Sequence, residues 1–169
     1  MEASGTGNMK FGLNGALTIG TLDGANIEIR AAVGAEHFHL FGHTAAELEA
    51  LRHARAYAPQ ALIEEHPWVG RVVRALEGGL LGGSWTPPAW IPARLRSPHD
   101  PYFHLADLPS YVAEQRAVER RFLDRDAWCR SALVNALRLG HFSSDRTIRE
   151  YAQKIWGLGT PIRRAPTER

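Results

Sequence analysis

Only two stretches of this chain read as β-strand, Ala16 to Leu22 (ALTIGTL) and His37 to Phe41 (HFHLF). Both are short and bounded by glycines. Two such strands do not make a stable open sheet, and the helices that follow have too little sheet to cover. The glycine-rich turn Gly5-Thr6-Gly7 poses the same difficulty. Turns of this kind join a preceding strand to the helix whose amides they present, and here only a few residues precede it. The expectation is an α/β fold: the C-terminal part of a larger domain, as a truncated chain or a fragment. The competing expectation is a small helical domain with a frayed glycine-rich arm.

The rest of the chain is helical in pattern. Asp23-Gly24 marks a turn between the strands, and Ile27 to Val33 reads as a short helix stopped by Gly34. Thr44-Ala45-Ala46-Glu47 is a capping box opening a helix that runs toward Pro59. Pro67 suits the first turn of another, with Val69, Val72, Val73 and Leu76 at helical spacing before Gly78-Gly79. Residues 80–101 form a Pro/Gly-rich connector without periodicity. Helices are then expected at about 109–123, 126–139 and 144–156, the last with Ile148, Tyr151, Ala152 and Ile155 on one face and Gly157 at its end. This divides one incomplete domain into a Gly-rich turn, helix and strands over 1–42, a helical segment over 43–79, the connector over 80–101 and a C-terminal helical segment over 102–169.

Of the 20 basic residues, 18 are arginines; the lysines are Lys10 and Lys154. In a chain that defaults to arginine, a lysine is notable because it can lose its proton and attack a carbonyl, which a guanidinium cannot. Lys10 stands three residues past Gly7. The turn leaves its N–H groups free to close on an anion, and the helix beginning near Asn8 directs its positive end to the same place. Three residues of helix rise about 4.5 Å, close to the separation of phosphate and reactive carbon in pyridoxal phosphate. The stretch is not a Walker A loop, since Phe11 follows the lysine. Taken alone, these residues also fit a generic phosphate-binding module or a plain turn with a solvent-facing lysine.

The stretch EASGTGNMKFGLNGALTIGTLDGANIEI resembles the pyridoxal-phosphate attachment region of the α-glucan (glycogen, starch, maltodextrin) phosphorylases. HFHLFG, HDPYFHLADLPSYVAEQ and FSSDRTIREYAQKIWG resemble later segments of that family, so the likeness covers most of residues 2–157, while the connector GGSWTPPAWIPARLRSP matches poorly. The resemblance implies the C-terminal portion of a doubly wound, Rossmann-like domain of the two-domain GT-B architecture, followed by mostly helical segments. It implies a glycosyltransferase cleaving terminal α-1,4-glucosyl units with inorganic phosphate to glucose 1-phosphate. Lys10 would hold the cofactor as a Schiff base, and Thr6 and Gly7 would contact its phosphate. Glu2, Ala3, Ser4 and Gly5 would line the glucosyl subsite. Implied partners are the glucan, phosphate, the missing N-terminal portion of the enzyme and a second copy in a homodimer. The chain alone is expected to lack activity, and a non-catalytic helical association fragment is the other reading.

Remaining features point to less. A net charge of +2 with scattered arginines gives no expectation of nucleic-acid binding, and no run has the apolar length of a membrane span. One cysteine, Cys129, excludes an internal disulfide, and together with the lack of a signal-peptide pattern it suggests a cytoplasmic protein. Cys129 is expected in the core. His37 and His39 alternate on one strand face with His43 following, but no carboxylate or thiol completes a metal set, so no metal is expected. Asp23 and Glu28 could pass for a glycosidase pair, yet Asp23 is better read as a cap in its turn. Trp85 and Trp90 are expected to pin the connector to the body rather than stack on sugar.

Overall fold

The computed structural model describes residues 6–78 and 88–159. The expected subsite residues Glu2, Ala3, Ser4 and Gly5, together with Trp85, lie outside the described residues. Among those described the chain is mostly helical around one small sheet. Helix α1 (Gly7–Leu13) leads into strand β1 (Thr18–Gly20), helix α2 (Ala25–Val33) and strand β2 (Phe38–Leu40). The strands pair in parallel, Thr18 opposite Phe38 and Gly20 opposite Leu40, so the expected strands exist but are trimmed to three residues each.

Helices α3 (Ala45–Ala54), α4 (Pro59–Glu65), α5 (Pro67–Glu77), α6 (Trp90–Leu95), α7 (His104–Leu123), α8 (Arg125–Arg138) and α9 (Ser144–Glu150) follow, with a π-helical turn over Tyr151–Ile155. The capping box forms in full at α3: the Thr44 hydroxyl accepts from the Glu47 amide, and Glu47 accepts from the Thr44 amide at 2.7 Å. The helix stops at Ala54, with Arg55 left-handed at φ 50°, rather than running to Pro59. Pro59 opens α4, because at N1 its missing N–H costs nothing. Pro67 opens α5 for the same reason, as expected.

Two expectations for the connector and the helix after it need correction. Residues 90–95 of the connector are helical. Helix α7 begins at His104 rather than near 109, with Pro109 inside it. Its start is set by Asp100, which accepts the His104 amide at 3.0 Å and the Tyr102 amide at 3.2 Å. Asp100 is 1% exposed, and a buried carboxylate persists because these amides and the His104 ring, 2.8 Å away, satisfy it.

Two apolar clusters hold these elements. Ile29 and Val33 of α2, Phe38 of β2 and Leu139 form the first, with Met9 and Leu13 of α1 against it; each fully buried aliphatic side chain contributes about 1.5–3 kcal/mol. Ile63, Val69, Val73 and Leu105 form the second, joining α4, α5 and α7. Beyond them much apolar surface stays uncovered: Leu133, Leu137, Ile148, Tyr151 and Ile155 are exposed, and of the expected face of the last helix only Ala152 is buried. No helix among the described residues is long and apolar enough to cross a membrane.

Candidate functional site

Helix α1 and its N-cap Thr6 hold the three described residues expected to carry chemistry. The Lys10 amide donates to the Thr6 carbonyl at 3.1 Å, so Thr6, Gly7 and Lys10 share one turn, and all three are exposed. The Thr6 side chain does not cap the helix, Asn8 Oδ1 accepts the Met9 amide at 2.9 Å, and a Cβ built on Gly7 meets nothing within 4 Å. That combination leaves the Gly7 and Asn8 amides, open space and a primary amine within one turn. Among the described residues the Lys10 ammonium makes no ion pair.

An unexpected residue fixes this turn to the sheet. Asn8 Nδ2 donates to Asn26 Oδ1 at 3.0 Å, and Asn26 Nδ2 donates to the Thr21 carbonyl at 3.1 Å. Asn26 lies 6% exposed at the start of α2. Gly20 makes room for it, since a Cβ there would sit 2.6 Å from Asn26 Nδ2. The amine-bearing helix is thereby tied to the carboxyl end of β1, where α/β sheets place their ligands. A groove of about 380 Å³ opens there, lined by Asn8, Gly20, Thr21, Asp23, Asn26 and Phe41. Behind α1, Gly12 is pressed onto Leu139, whose Cδ1 would lie 2.2 Å from a Cβ at that position. The sequence offered one weak sign of this tie, an asparagine in the first turn of a helix.

The other candidates resolve differently. His37 stands before β2 rather than on it, its Nδ1 3.0 Å from Ser131 Oγ. A carboxylate does lie near each of the three histidines: Glu36 3.6 Å from His37 Nε2, Glu114 2.7 Å from His39 Nδ1 and Asp107 2.7 Å from His43 Nδ1. Among the described residues no three His, Cys, Asp or Glu gather as a metal set. Asp23 is not the cap of α2; Gly24 holds that position at φ 48°, and Asp23 accepts from the Thr21 hydroxyl instead. Cys129 is exposed, because the buried stripe of α8 runs through Ser131 and Asn135, and two helical residues separate side chains by about 200°. Trp90 is 67% exposed and pins nothing; Pro92, two residues on, is the buried member of α6.

Shifted titration marks other places. Burial pushes the Tyr57 phenol up to about 12, outweighing the Leu105 amide beside it. The Thr44 amide holds Glu47 below its usual value, and the Arg96 guanidinium does the same for Glu77.

The sequence profile of the family described as Carbohydrate phosphorylase matches residues 1–158. The chain is 44% identical to the glycogen phosphorylase of Chlamydia pneumoniae over 164 residues, 95% of this chain and 19% of that protein. It is 48% identical to the glycogen phosphorylase of a Synechocystis species over 159 residues, 93% of this chain and 18% of that protein. It is 40% identical to the cytosolic alpha-glucan phosphorylase 2 of Arabidopsis thaliana over 161 residues, 94% and 19%. The chain thus spans about a fifth of the length of the curated relatives it matches.

Proposed function

The chain belongs to the carbohydrate phosphorylase family, and from that premise we propose that it is the pyridoxal-phosphate-binding part of an α-1,4-glucan phosphorylase, a glycosyltransferase that forms glucose 1-phosphate. In this reading it is the C-terminal portion of the catalytic domain of a GT-B architecture, completed by an N-terminal portion. The observation that carries the proposal is the single turn holding Thr6, Gly7 and Lys10, with open space beside Gly7.

The residues present fit the cofactor: an exposed amine for its aldehyde, and the Gly7 and Asn8 amides, which Thr6 does not cap, for its phosphate. Lys10 would be the tether, and Thr6 and Gly7 would hold the phosphate. Bound there, pyridoxal phosphate supplies a phosphate group able to exchange a proton with the substrate phosphate. A proton relay needs heavy atoms within hydrogen-bond reach, which makes the rigidity of α1 a requirement. Asn8 serves it by holding the turn to β1 through Asn26. Glu2, Ala3, Ser4 and Gly5, immediately before the turn, would line the glucosyl subsite.

Borohydride reduction of the protein with pyridoxal phosphate, then peptide mapping, tests the assignment. The expected result is a label on Lys10 that Lys10→Ala removes; a label on Lys154, or none, overturns it. A second reading, a non-catalytic association fragment, is favoured by one observation, the uncovered apolar side chains of α8 and α9. It forecasts no covalent label.

A further inference from the structure

A cavity of about 540 Å³ lies between the end of α3 and the loop entering α7, outside the turn that carries Lys10. Its walls are apolar and aromatic: Leu51, Tyr57 and Phe103, with the two rings edge to face at 5.0 Å. Arg52, Arg55 and His99 also line it. The carboxylate among the lining residues, Asp100, is occupied by the amides of Tyr102 and His104 and by the His104 ring. Arg52 is partly neutralised by Glu49 at 2.7 Å, and it is held over the Phe103 ring at 5.3 Å with one N–H toward the Pro101 carbonyl. Arg55 has no ion pair among the described residues, and neither does His99.

The backbone singles out the same place. Among the described residues, Arg55 and Phe103 are the non-glycines at positive φ, 50° and 54°, and both line this cavity. Glycine would hold the αL position after α3 without strain, so the backbone gives no reason for a long cationic side chain there. An unneutralised guanidinium beside an aromatic wall is the chemistry that receives an oxyanion attached to a flat or apolar body.

We propose that this cavity is a binding site for a small phosphomonoester, its phosphate held by Arg55 with Arg52 and His99 and its body packed on Leu51, Tyr57 and Phe103. The proposal is independent of the cofactor assignment, because the site shares no residue with α1.

The probe is phenyl phosphate, added to the 169-residue chain and followed by titration calorimetry and hydrogen-exchange mass spectrometry. Saturable binding is expected, with amides of residues 51–57 and 98–103 protected and phenol without effect. Inorganic phosphate should bind more weakly, since it lacks the body. Arg55→Gly suits the left-handed backbone and should keep the fold, as its far-UV circular dichroism would show, while weakening phenyl phosphate at least about tenfold. Arg55→Lys should retain most of the binding. No binding up to about 10 mM would overturn the proposal. So would equal affinity in Arg55→Gly, or protection confined to residues 6–13. Inorganic phosphate binding as well as phenyl phosphate would overturn the aromatic part of the site.

Discussion

Replacing Gly12 by alanine tests how rigidly the amine-bearing helix is seated. The new Cβ would lie 2.2 Å from Leu139 Cδ1, whereas carbon atoms in contact sit about 3.5–4.0 Å apart, so something must move by roughly 1.5 Å. Leu139 is fully buried against Ile29, Val33 and Phe38, so moving its Cδ1 aside means repacking that cluster. Overpacking of this kind costs about 1–3 kcal/mol. Against it stands the gain from removing glycine from a helix, about 1 kcal/mol. The net expectation is a loss of about 1 kcal/mol, read as a lower urea midpoint by circular dichroism, with a lower yield of reduced cofactor on Lys10 as α1 tilts. Leu139→Val alone should also destabilise, but the double variant should lose less than the sum, with a coupling of about 1–2 kcal/mol. A higher midpoint for Gly12→Ala, the propensity gain without the clash, would refute the reasoning.

The chain alone, supplied with pyridoxal phosphate, maltooligosaccharide and phosphate, should release no glucose 1-phosphate. Two phosphates held together need several cations, and the resemblance places those in the preceding part of the domain; activity that survives repurification and vanishes in Lys10→Ala would contradict this. In acid, α3 should lose support. Glu47 is held below its usual value of 4.5 by Thr44, so its contribution is present above that value and is lost as pH falls through the lower folded value. Between about pH 6 and about pH 3 the urea midpoint should fall less steeply in Glu47→Gln than in the parent; parallel slopes would exclude the linkage.

Features set by neighbours in sequence were legible beforehand. The capping box at Thr44 and Glu47 and the proline start at Pro67 rest on contacts within four residues, and both formed as read. Helix boundaries near other prolines were read less well. The helix expected from about 109 starts at His104, where Asp100 accepts its amide, and Pro109 falls inside it. Pro59 looked like a stop and is a start. Cys129 was assigned to the core by the apolar character of its helix, whereas the buried stripe of α8 is polar, with Ser131 and Asn135 facing His37. At the candidate site, Thr6, Gly7 and Lys10 were legible because one helical turn brings them together. The tie from Asn8 to Asn26 was not, since it depends on how the chain turns after β1. Nor were the partners of His39 and His43, which lie 75 and 64 residues further along.

The contacts that close the first apolar cluster span most of the chain. His37 meets Ser131 across 94 residues, the Asn135 amide reaches the His37 carbonyl across 98, and Arg138 reaches the Ala32 carbonyl across 106. A ribosome adding about 5–20 residues per second needs roughly 5–20 s to make that interval. During those seconds α1 and α2 have been synthesised, but Leu139, the residue they share as a floor, has not. The helix that carries the Lys10 amine is therefore made well before the residue that seats it.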